Sequence, residues 1–196
     1  MPDSITRKEQ AMRTRMSLLN AALLLFQERG VTNVKVTDIC EEAGVSVGAF
    51  YHHFPSKEDL IERSYQGIDD HLSELMEGRT FPSQTEKILT FFSDATEVME
   101  SFGPGVTGAV YGHILSSGDS YTFSRKRYPY QLVRNALSDG ITSGEFSPDT
   151  APDPDTRTLM RIVRGIAYDW SAAQGTYSLS EEVMKILTQY LKKFQA

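Results

Sequence analysis

The chain has 196 residues with one cysteine, 23% charged residues and a formal net charge of −6, which is ordinary for a globular protein. The net charge argues against a protein that is cationic over its whole surface, and the single cysteine excludes an internal disulfide framework. No apolar segment approaches the roughly 20 residues of a membrane span, and the polar N-terminus lacks the pattern of a secretory signal, so we expect a cytoplasmic protein.

The N-terminal segment is locally basic. Arg7, Lys8, Arg13 and Arg15 lie close together in an otherwise acidic chain. Such a segment is either a cationic arm that contacts a polyanion or a solvated, frayed terminus, and the sequence leaves both open.

The first predicted helix covers residues 13–30. Met16, Leu19, Leu23 and Phe26 recur at helical spacing, and neighbouring apolar residues widen the stripe. Gly30 is predicted to end the helix, because glycine accepts a left-handed conformation there. The width of the stripe predicts a helix that is buried over much of its surface.

Two short helices are predicted next, at 36–43 and 46–53, with a tight turn at Gly44 between them. Ser46 can cap the second helix through its hydroxyl, and Pro55 prevents its continuation. Two short helices joined by a glycine-containing turn are typical of a helix-turn-helix. Its small core is predicted to contain Ile39, Ala43, Val45, Phe50 and Phe54.

The rest of the chain is also predicted to be helical. Ser56, with Asp59 three residues later, marks the start of a fourth helix that ends near Gly78. Further helices are expected at 83–102, 106–116, 121–143, 154–174 and 180–194, with a break at the Gly103-Pro104-Gly105 segment and an acidic, proline-containing loop at 143–156. We therefore expect an all-α chain.

Three motifs connect residues 16–65 with a known family. They are the "F-x-x-x-G" end of the first helix, the "I-x-x-x-A-G-V-S-x-G" turn and the segment "F-Y-x-H-F-x-S-K-E-D-L". In these features the chain closely resembles the DNA-binding domain of TetR-family transcriptional regulators. The resemblance implies a helix-turn-helix DNA-binding domain at 1–55, with the basic arm, and a helical ligand-binding and dimerisation domain at 56–196.

The recognition helix of such a domain enters the major groove with its N-terminal half. Val47 and Ala49 are then expected to contact thymine methyl groups, and Ser46 to hydrogen-bond a base. Gly48 is costly in a short helix; either it allows the helix close to DNA, or its position in the core has no room for a Cβ.

Other residues are expected to contact phosphates and so to fix the register of the protein on DNA. Similar proteins use the positions of Tyr51, His52 and Lys57 for this purpose. Thr37, in the first turn of its helix, can donate a hydroxyl to another phosphate. The family often has lysine at the position of Val47, and Lys35 can replace the phosphate contact that is lost.

The sequence offers few alternatives to DNA binding. His52 and His53 are adjacent and point about 100° apart on a helix, so we expect no metal site and no cofactor. Cys40 is better explained as a small core residue than as a redox sensor, and the cations of the "RKR" segment at 125–127 as a solvated face. No arrangement of residues typical of catalysis is present, and we expect no enzyme activity.

The C-terminal region is expected to dimerise and to bind a small molecule. The helices predicted at 154–174 and 180–194 have broad apolar surfaces, which indicate packing on a partner, and the resemblance implies a two-fold dimer closed by a four-helix bundle. The interface is expected to contain Ile162, Ile166, Ala173, Val183, Leu187, Tyr190 and Phe194. A ligand pocket, which the resemblance implies, is expected among Phe92, Met99, Phe102, Tyr111, His113, Tyr128 and Trp170.

We therefore expect a homodimeric transcriptional regulator, with repression favoured over activation, that binds double-stranded DNA at a palindromic operator and is released by a small molecule. The alternative is a constitutive DNA-binding protein, or one controlled by another protein. An enzyme on a helical scaffold is a third, less favoured hypothesis.

Overall fold

The computed structural model describes residues 7–117 and 122–195, and helices account for most of this range. An isolated β-bridge joins Phe146 and Gln195, and the described residues form no β-strand beyond this bridge. The predicted all-α fold is confirmed. The helices are α1 Arg7–Arg29, α2 Val36–Glu42, α3 Val47–His53, α4 Lys57–Met76, α5 Gln84–Ser117, α6 Tyr128–Ser143, α7 Pro152–Ala172 and α8 Leu179–Leu191, with 3-10 turns at Val31–Asn33 and Lys192–Phe194.

The chain divides into two compact units, Met1–Tyr65 and Gln66–Ala196, so that the boundary falls inside α4. The expected functional division after residue 55 stays a prediction, because it concerns which residues bind DNA. Among the helices of the described ranges, none combines the length and apolar character needed to cross a bilayer.

The first unit packs α1, α2 and α3 around a small core. Ile39, Phe50 and Phe54 are fully buried, as predicted, whereas Ala43 and Val45 are half-buried. The Ser17 hydroxyl donates to the Ala43 carbonyl at 3.3 Å and so ties α1 to the end of α2. The other buried apolar residues of this unit include Leu18, Leu19, Ala21, Ala22, Leu25, Phe26, Val34, Cys40, Leu60 and Ile61.

The prediction that Met16 belongs to the buried stripe of α1 is wrong. Met16 is 49% exposed and Leu23 only half-buried, while Leu18, Ala22 and Leu25 are buried. Apolar residues cover so much of the circumference of α1 that spacing alone does not determine which side faces the core.

Gly30 follows the last residue of α1, as predicted. Its φ is 75° and its ψ is 147°. The positive φ explains the glycine, because other residues rarely adopt it, but the ψ value lies outside the left-handed helical region that we expected.

The second unit surrounds a larger core. Helix α5 is interrupted at Gly103, whose φ of 81° and ψ of 164° are not helical, so the predicted break is confirmed. The fully buried side chains of this core include Phe91, Phe146, Ile88, Leu137, Leu159 and Leu179.

Two predicted boundaries of the second unit are wrong. Helix α6 begins at Tyr128 rather than at residue 121, and Pro129 lies in its first turn, where its missing amide costs no hydrogen bond. Helix α7 begins at Pro152, so the loop expected at 143–156 is shorter. Pro129 of α6 and Pro152 of α7 lie in a first helical turn, whereas Pro148 lies in the loop before α7.

Candidate nucleic-acid interface

Helix α3 begins at a capped turn that the sequence predicts. The amide of Ala49 donates to the Ser46 hydroxyl oxygen at 3.1 Å, which satisfies one of the free amides of the first turn. The helix ends at His53, and the Phe54 amide still donates to the Phe50 carbonyl at 2.8 Å.

The two sides of α3 differ sharply in burial. Phe50 and Phe54 are fully buried and their ring centroids are 5.8 Å apart. On the other side Val47 is 41% exposed and Tyr51 is 54% exposed. Residues 47 and 51 are four apart and share one face of the helix, so α3 presents an apolar methyl-bearing side chain and a phenol together to solvent.

The glycine of this exposed face is not required by the protein's own packing. A Cβ added at Gly48 would have the Ser46 hydroxyl oxygen at 3.8 Å as its neighbour, which is an ordinary contact distance, and Gly48 is exposed. The interpretation of Gly48 as a crowded core position is therefore wrong. Close approach of DNA to the helix at Gly48 stays a prediction.

Tyr51 and His52 are both exposed. The Tyr51 ring packs edge-on against the buried Phe50 ring, with 5.3 Å between the ring centroids. His52 and His53 also meet edge-on, at 5.2 Å. Over the part of the chain that the structure describes, no three His, Cys, Asp or Glu side chains are placed to hold a metal ion.

His53 lies at the rim between the core and the exposed face, where it is half-buried. Burial lowers the pKa of His53, and the positive charges of His52 and Arg15 lower it further. The guanidinium of Arg15 lies 5.8 Å from the centre of the buried Phe54 ring. Arg15 thus places a positive charge beside the end of α3. The sequence predicted only that the N-terminal segment is basic. The side chains of Arg7 and Lys8 lie outside the described residues.

Lys35 and Thr37 are exposed at the start of α2. The Lys35 amide donates to the Asp38 carboxylate at 2.8 Å, so Asp38 caps the helix. The Lys35 side chain makes no capping hydrogen bond. Both predicted phosphate contacts therefore have the exposure that they need.

Lys57 has a structural role that the sequence did not reveal. Its ammonium group donates to the carbonyls of Val31 and Val34, both at 2.9 Å. These bonds join the first turn of α4 to the segment between α1 and α2. Since an ammonium group has three donors, one remains for a phosphate.

Cys40 lies in the core of this unit. Its side chain is buried, and burial raises the pKa of the thiol. A raised pKa reduces the thiolate fraction at neutral pH, so the structure favours the core interpretation over a reactive cysteine.

The residues expected to line a ligand pocket have unequal surroundings in the second unit. Phe92 and Trp170 are buried, and the Trp170 indole donates to the Tyr177 carbonyl at 2.8 Å. Met99, Tyr111 and Tyr128 are half-buried against the core, and Phe102 is half-buried. The side chain of His113 lies outside the described residues.

Three residues of the expected dimer interface are buried within the single chain. Val183 and Leu187 are fully buried and Phe194 is 5% exposed within the single chain, so these side chains have no surface left for a partner. Val183 and Leu187 of α8, and Phe194 of the following 3-10 turn, pack on the core of their own unit. Ile162, Ile166, Ala173 and Tyr190 are half-buried, and Ile166 lines an open cleft of about 470 Å³ between α7 and α8 together with Ile186 and Tyr177.

Known proteins resemble both the first unit and the whole chain. The family model described as bacterial regulatory proteins, tetR family, matches residues 18–63. The transcriptional regulator CymR of Pseudomonas putida is 33% identical over 173 residues, which are 85% of this chain and 83% of that protein. The transcriptional repressor KstR2 of Mycolicibacterium smegmatis is 29% identical over 176 residues, with 85% of this chain and 83% of KstR2 covered.

Solved structures share the fold over nearly the whole length. Thermus thermophilus FadR, a TetR-family transcriptional repressor in complex with lauroyl-CoA, aligns with a TM-score of 0.62 and 21% identity over 93% of this chain and 95% of its own. Bacillus subtilis FadR, in complex with stearoyl-CoA, aligns with a TM-score of 0.64 and 18% identity over 88% of this chain and 96% of its own.

Proposed function

The chain belongs to the TetR family of bacterial regulatory proteins and is a DNA-binding transcriptional regulator; we propose that it is a homodimeric repressor that a small molecule releases from a palindromic operator. KstR2, with 29% identity, is a repressor, which supports repression over activation.

The observation that carries the proposal is the exposed face of α3. Val47 and Tyr51 are large apolar or aromatic side chains that stay 41% and 54% exposed, and Gly48 between them leaves the backbone accessible. Val47 and Ala49 read thymine methyl groups, and the Ser46 hydroxyl, which accepts from Ala49, keeps its proton to donate to a base. A duplex laid against this face accounts for all of these features together.

The phosphate contacts surround this face. Tyr51 and His52 donate from α3, and Lys35 and Thr37 from the start of α2, where the helix N-terminus adds to the positive field. Lys57 contributes the one donor that its bonds to the Val31 and Val34 carbonyls leave free. These contacts set the register of the protein and carry no sequence preference themselves.

Dimerisation places two α3 helices on one side of the duplex. Successive major grooves on that side are about 34–36 Å apart, and a two-fold dimer matches a palindromic site. The surface that supports a dimer is the half-buried part of α7 and α8, which comprises Ile162, Ile166, Ala173, Ile186 and Tyr190.

Release by a ligand follows a two-state scheme. The ligand binds in the second unit and favours a conformer in which the two α3 helices no longer match the operator. The two FadR proteins of the same fold are in complex with acyl-CoA ligands, and this supports a small-molecule effector. The coupling equals the ligand's preference between the conformers, commonly about 1–3 kcal/mol.

A gel shift on the DNA immediately upstream of the gene tests the proposal. Tyr51→Phe removes one hydroxyl from the exposed face and should weaken binding roughly tenfold, since a hydrogen bond to a charged group contributes about 1.5 kcal/mol. Tyr168→Phe is the matched control for DNA affinity without ligand, because Tyr168 is 58% exposed in the second unit, and it should leave that affinity unchanged. Equal affinities for the wild type and Tyr51→Phe would refute the contact, and binding that no cell extract or small molecule alters would favour the constitutive alternative.

A further inference from the structure

Arg164 of α7 has no carboxylate partner among the residues that the structure describes. Its side chain is half-buried, and its guanidinium lies 4.9 Å from the centre of the Phe123 ring. Within the described ranges it makes no hydrogen bond and no ion pair with a carboxylate. A half-buried guanidinium whose charge no carboxylate of the described ranges offsets can take an anion from outside the chain as its partner.

The groups around Arg164 also favour an anion at this position. Burial lowers the pKa of Arg164, and the positive charges of Arg127 and Arg161 lower it further, against the effect of Tyr111. Arg127 is itself paired, because it donates to the Asp69 carboxylate at 2.8 Å and 2.6 Å. Among the described residues, no carboxylate forms such a pair with Arg164.

Tyr111 of α5 supplies a second donor at the same place. Burial raises the pKa of its hydroxyl to about 12, although Arg164 and Arg127 act in the opposite direction. The phenol thus keeps its proton at neutral pH and can donate it to an anion. Its ring meets the ring of Tyr168 edge-on at 6.4 Å.

Apolar surface lies around these two donors. Leu115 is 79% exposed, and Phe123 and Tyr168 are each 58% exposed. Leu115 follows Tyr111 by four residues on α5, and Tyr168 follows Arg164 by four on α7, so each apolar residue shares a helix face with a donor. Two neighbouring donors with exposed apolar residues beside them fit a ligand that has an acidic group and a hydrophobic body.

We propose that Arg164 and Tyr111 bind the acidic group of an amphipathic effector, whose hydrophobic part packs on Phe123 and Tyr168. The inference rests on the proposed function in that it names the chemical class of the small molecule and the residues that recognise it.

An anion bound to Arg164 also affects α4 electrostatically, through Arg127 and Asp69. An anion on Arg164 cancels its repulsion of Arg127, and Arg127 holds Asp69 of α4 through a buried ion pair. Binding therefore changes the electrostatic environment of the helix on which Asp69 lies, which is the helix that contains the boundary between the two units.

The experiment uses two fluorescent probes with one scaffold and the full-length protein. Anilinonaphthalene sulfonate has an aromatic body and a sulfonate, and phenylnaphthylamine has the same body without the charge. We expect Arg164→Gln to weaken binding of the sulfonate probe roughly tenfold and to change binding of the neutral probe less than about twofold. Arg161→Gln, which removes an exposed arginine three residues earlier on the same helix, is the matched control and should change neither.

A second variant protects the test against a folding defect. Tyr111→Phe keeps the ring and removes the donor, and it should weaken the sulfonate probe alone by about threefold to tenfold. Equal binding of the sulfonate probe to the wild type and both variants would overturn the proposal. An equal loss of both probes would overturn it as well, because the anion would then have no specific part in binding.

Gel shifts of the wild type without ligand test operator binding separately from the anion site, because they involve neither the probes nor a variant of that site. If the wild type shows no operator binding but the probes behave as expected, the proposed function fails and the anion site stands. If operator binding and release are intact but the variants bind the sulfonate probe normally, the anion site fails alone.

Discussion

Lys57 combines two roles in one side chain. Its ammonium group donates to the Val31 and Val34 carbonyls, both at 2.9 Å, and its remaining donor is available to a phosphate. A substitution at Lys57 therefore perturbs the fold as well as the interface, and it cannot by itself establish a DNA contact.

We expect Lys57→Ala to lower the free energy of unfolding by about 2 kcal/mol, because two charge-assisted hydrogen bonds are lost from a half-buried site. Tyr51→Phe should leave stability within about 0.5 kcal/mol of the wild type, since it alters an exposed hydroxyl. Urea unfolding followed by circular dichroism measures both. Unchanged stability of Lys57→Ala would show that its bonds to the two carbonyls contribute nothing.

Gly140 is required by packing. A Cβ at this position would lie 2.1 Å from the ring of Phe146, which is 1% exposed and cannot move aside. Gly140→Ala should destabilise the protein by about 1–3 kcal/mol through overpacking. The control is Gly112→Ala on α5, where a Cβ would meet no atom within 4 Å and alanine improves helix propensity; thermal unfolding should show a lower midpoint for Gly140→Ala alone.

Individual residues of α3 could be predicted from sequence because several signals coincide there. A serine cap, a following proline and two phenylalanines four residues apart all indicate the same helix with the same buried side. Met16, Val183 and Leu187 could not be placed correctly, because in α1 and α8 apolar residues cover more than one face. Nothing in the sequence pointed to Arg164, because its lack of a carboxylate partner among the described residues depends on which side chains other segments bring near it.

At the level of helices, α5 depends on a cap from a distant segment. The amides of Gln84 and Thr85 donate to the Glu145 carboxylate at 2.7 Å and 2.8 Å, and the Thr85 hydroxyl donates to it at 2.6 Å. Burial alone would raise the pKa of Glu145, but these hydrogen bonds outweigh burial, and the net pKa is lowered from 4.5. The cap thus couples the stability of α5 to the ionisation of a residue that follows α6.

The sign of the pH dependence follows from the lowered pKa. A carboxyl group with a depressed pKa in the folded state contributes stability above its unfolded pKa, and this contribution is lost as the pH falls through the folded pKa. Glu145→Gln should therefore destabilise the protein by about 1–2 kcal/mol at neutral pH, and the difference from the wild type should shrink below the ordinary carboxyl pKa of 4.5. Urea unfolding of both proteins at neutral pH and at about pH 3 measures this; a difference that does not change with pH would contradict the cap.

Helix boundaries were predictable where the chain carries a capping residue or a glycine. Ser46, Ser56 and Gly103 mark boundaries that the structure reproduces. The starts of α6 and α7 were missed because a proline both interrupts a helix and suits its first turn, and the residue type alone does not distinguish the two situations. The Glu145 cap could not be predicted, because it joins residues about 60 positions apart.

At the level of the whole molecule, the proposal requires two copies of the chain. Ile166 lies on the half-buried surface of α7, in the cleft beside Ile186. Ile166→Glu would place two carboxylates near a two-fold axis, and it should shift the protein from dimer to monomer in sedimentation velocity. Operator affinity should fall by roughly tenfold or more, because one α3 helix makes half of the contacts.

The control for this charge change is Leu24→Glu. Leu24 is 47% exposed on α1, so the substitution introduces the same charge on another apolar position and should leave the dimer intact. Dimeric Ile166→Glu would show that this surface of α7 is not the interface.

The central claim is that the exposed face of α3 reads DNA sequence, and the ratio of specific to non-specific affinity tests it most directly. Fluorescence anisotropy should compare labelled upstream DNA with unrelated DNA of equal length for the wild type, Val47→Ala and Tyr51→Phe. We expect the wild type to prefer the upstream DNA by about a thousandfold or more. Val47→Ala should reduce that ratio, because it removes a base contact, whereas Tyr51→Phe should weaken both affinities alike and preserve it, because it removes a phosphate contact. A wild-type ratio near one, or a ratio that Val47→Ala leaves unchanged, would contradict the account.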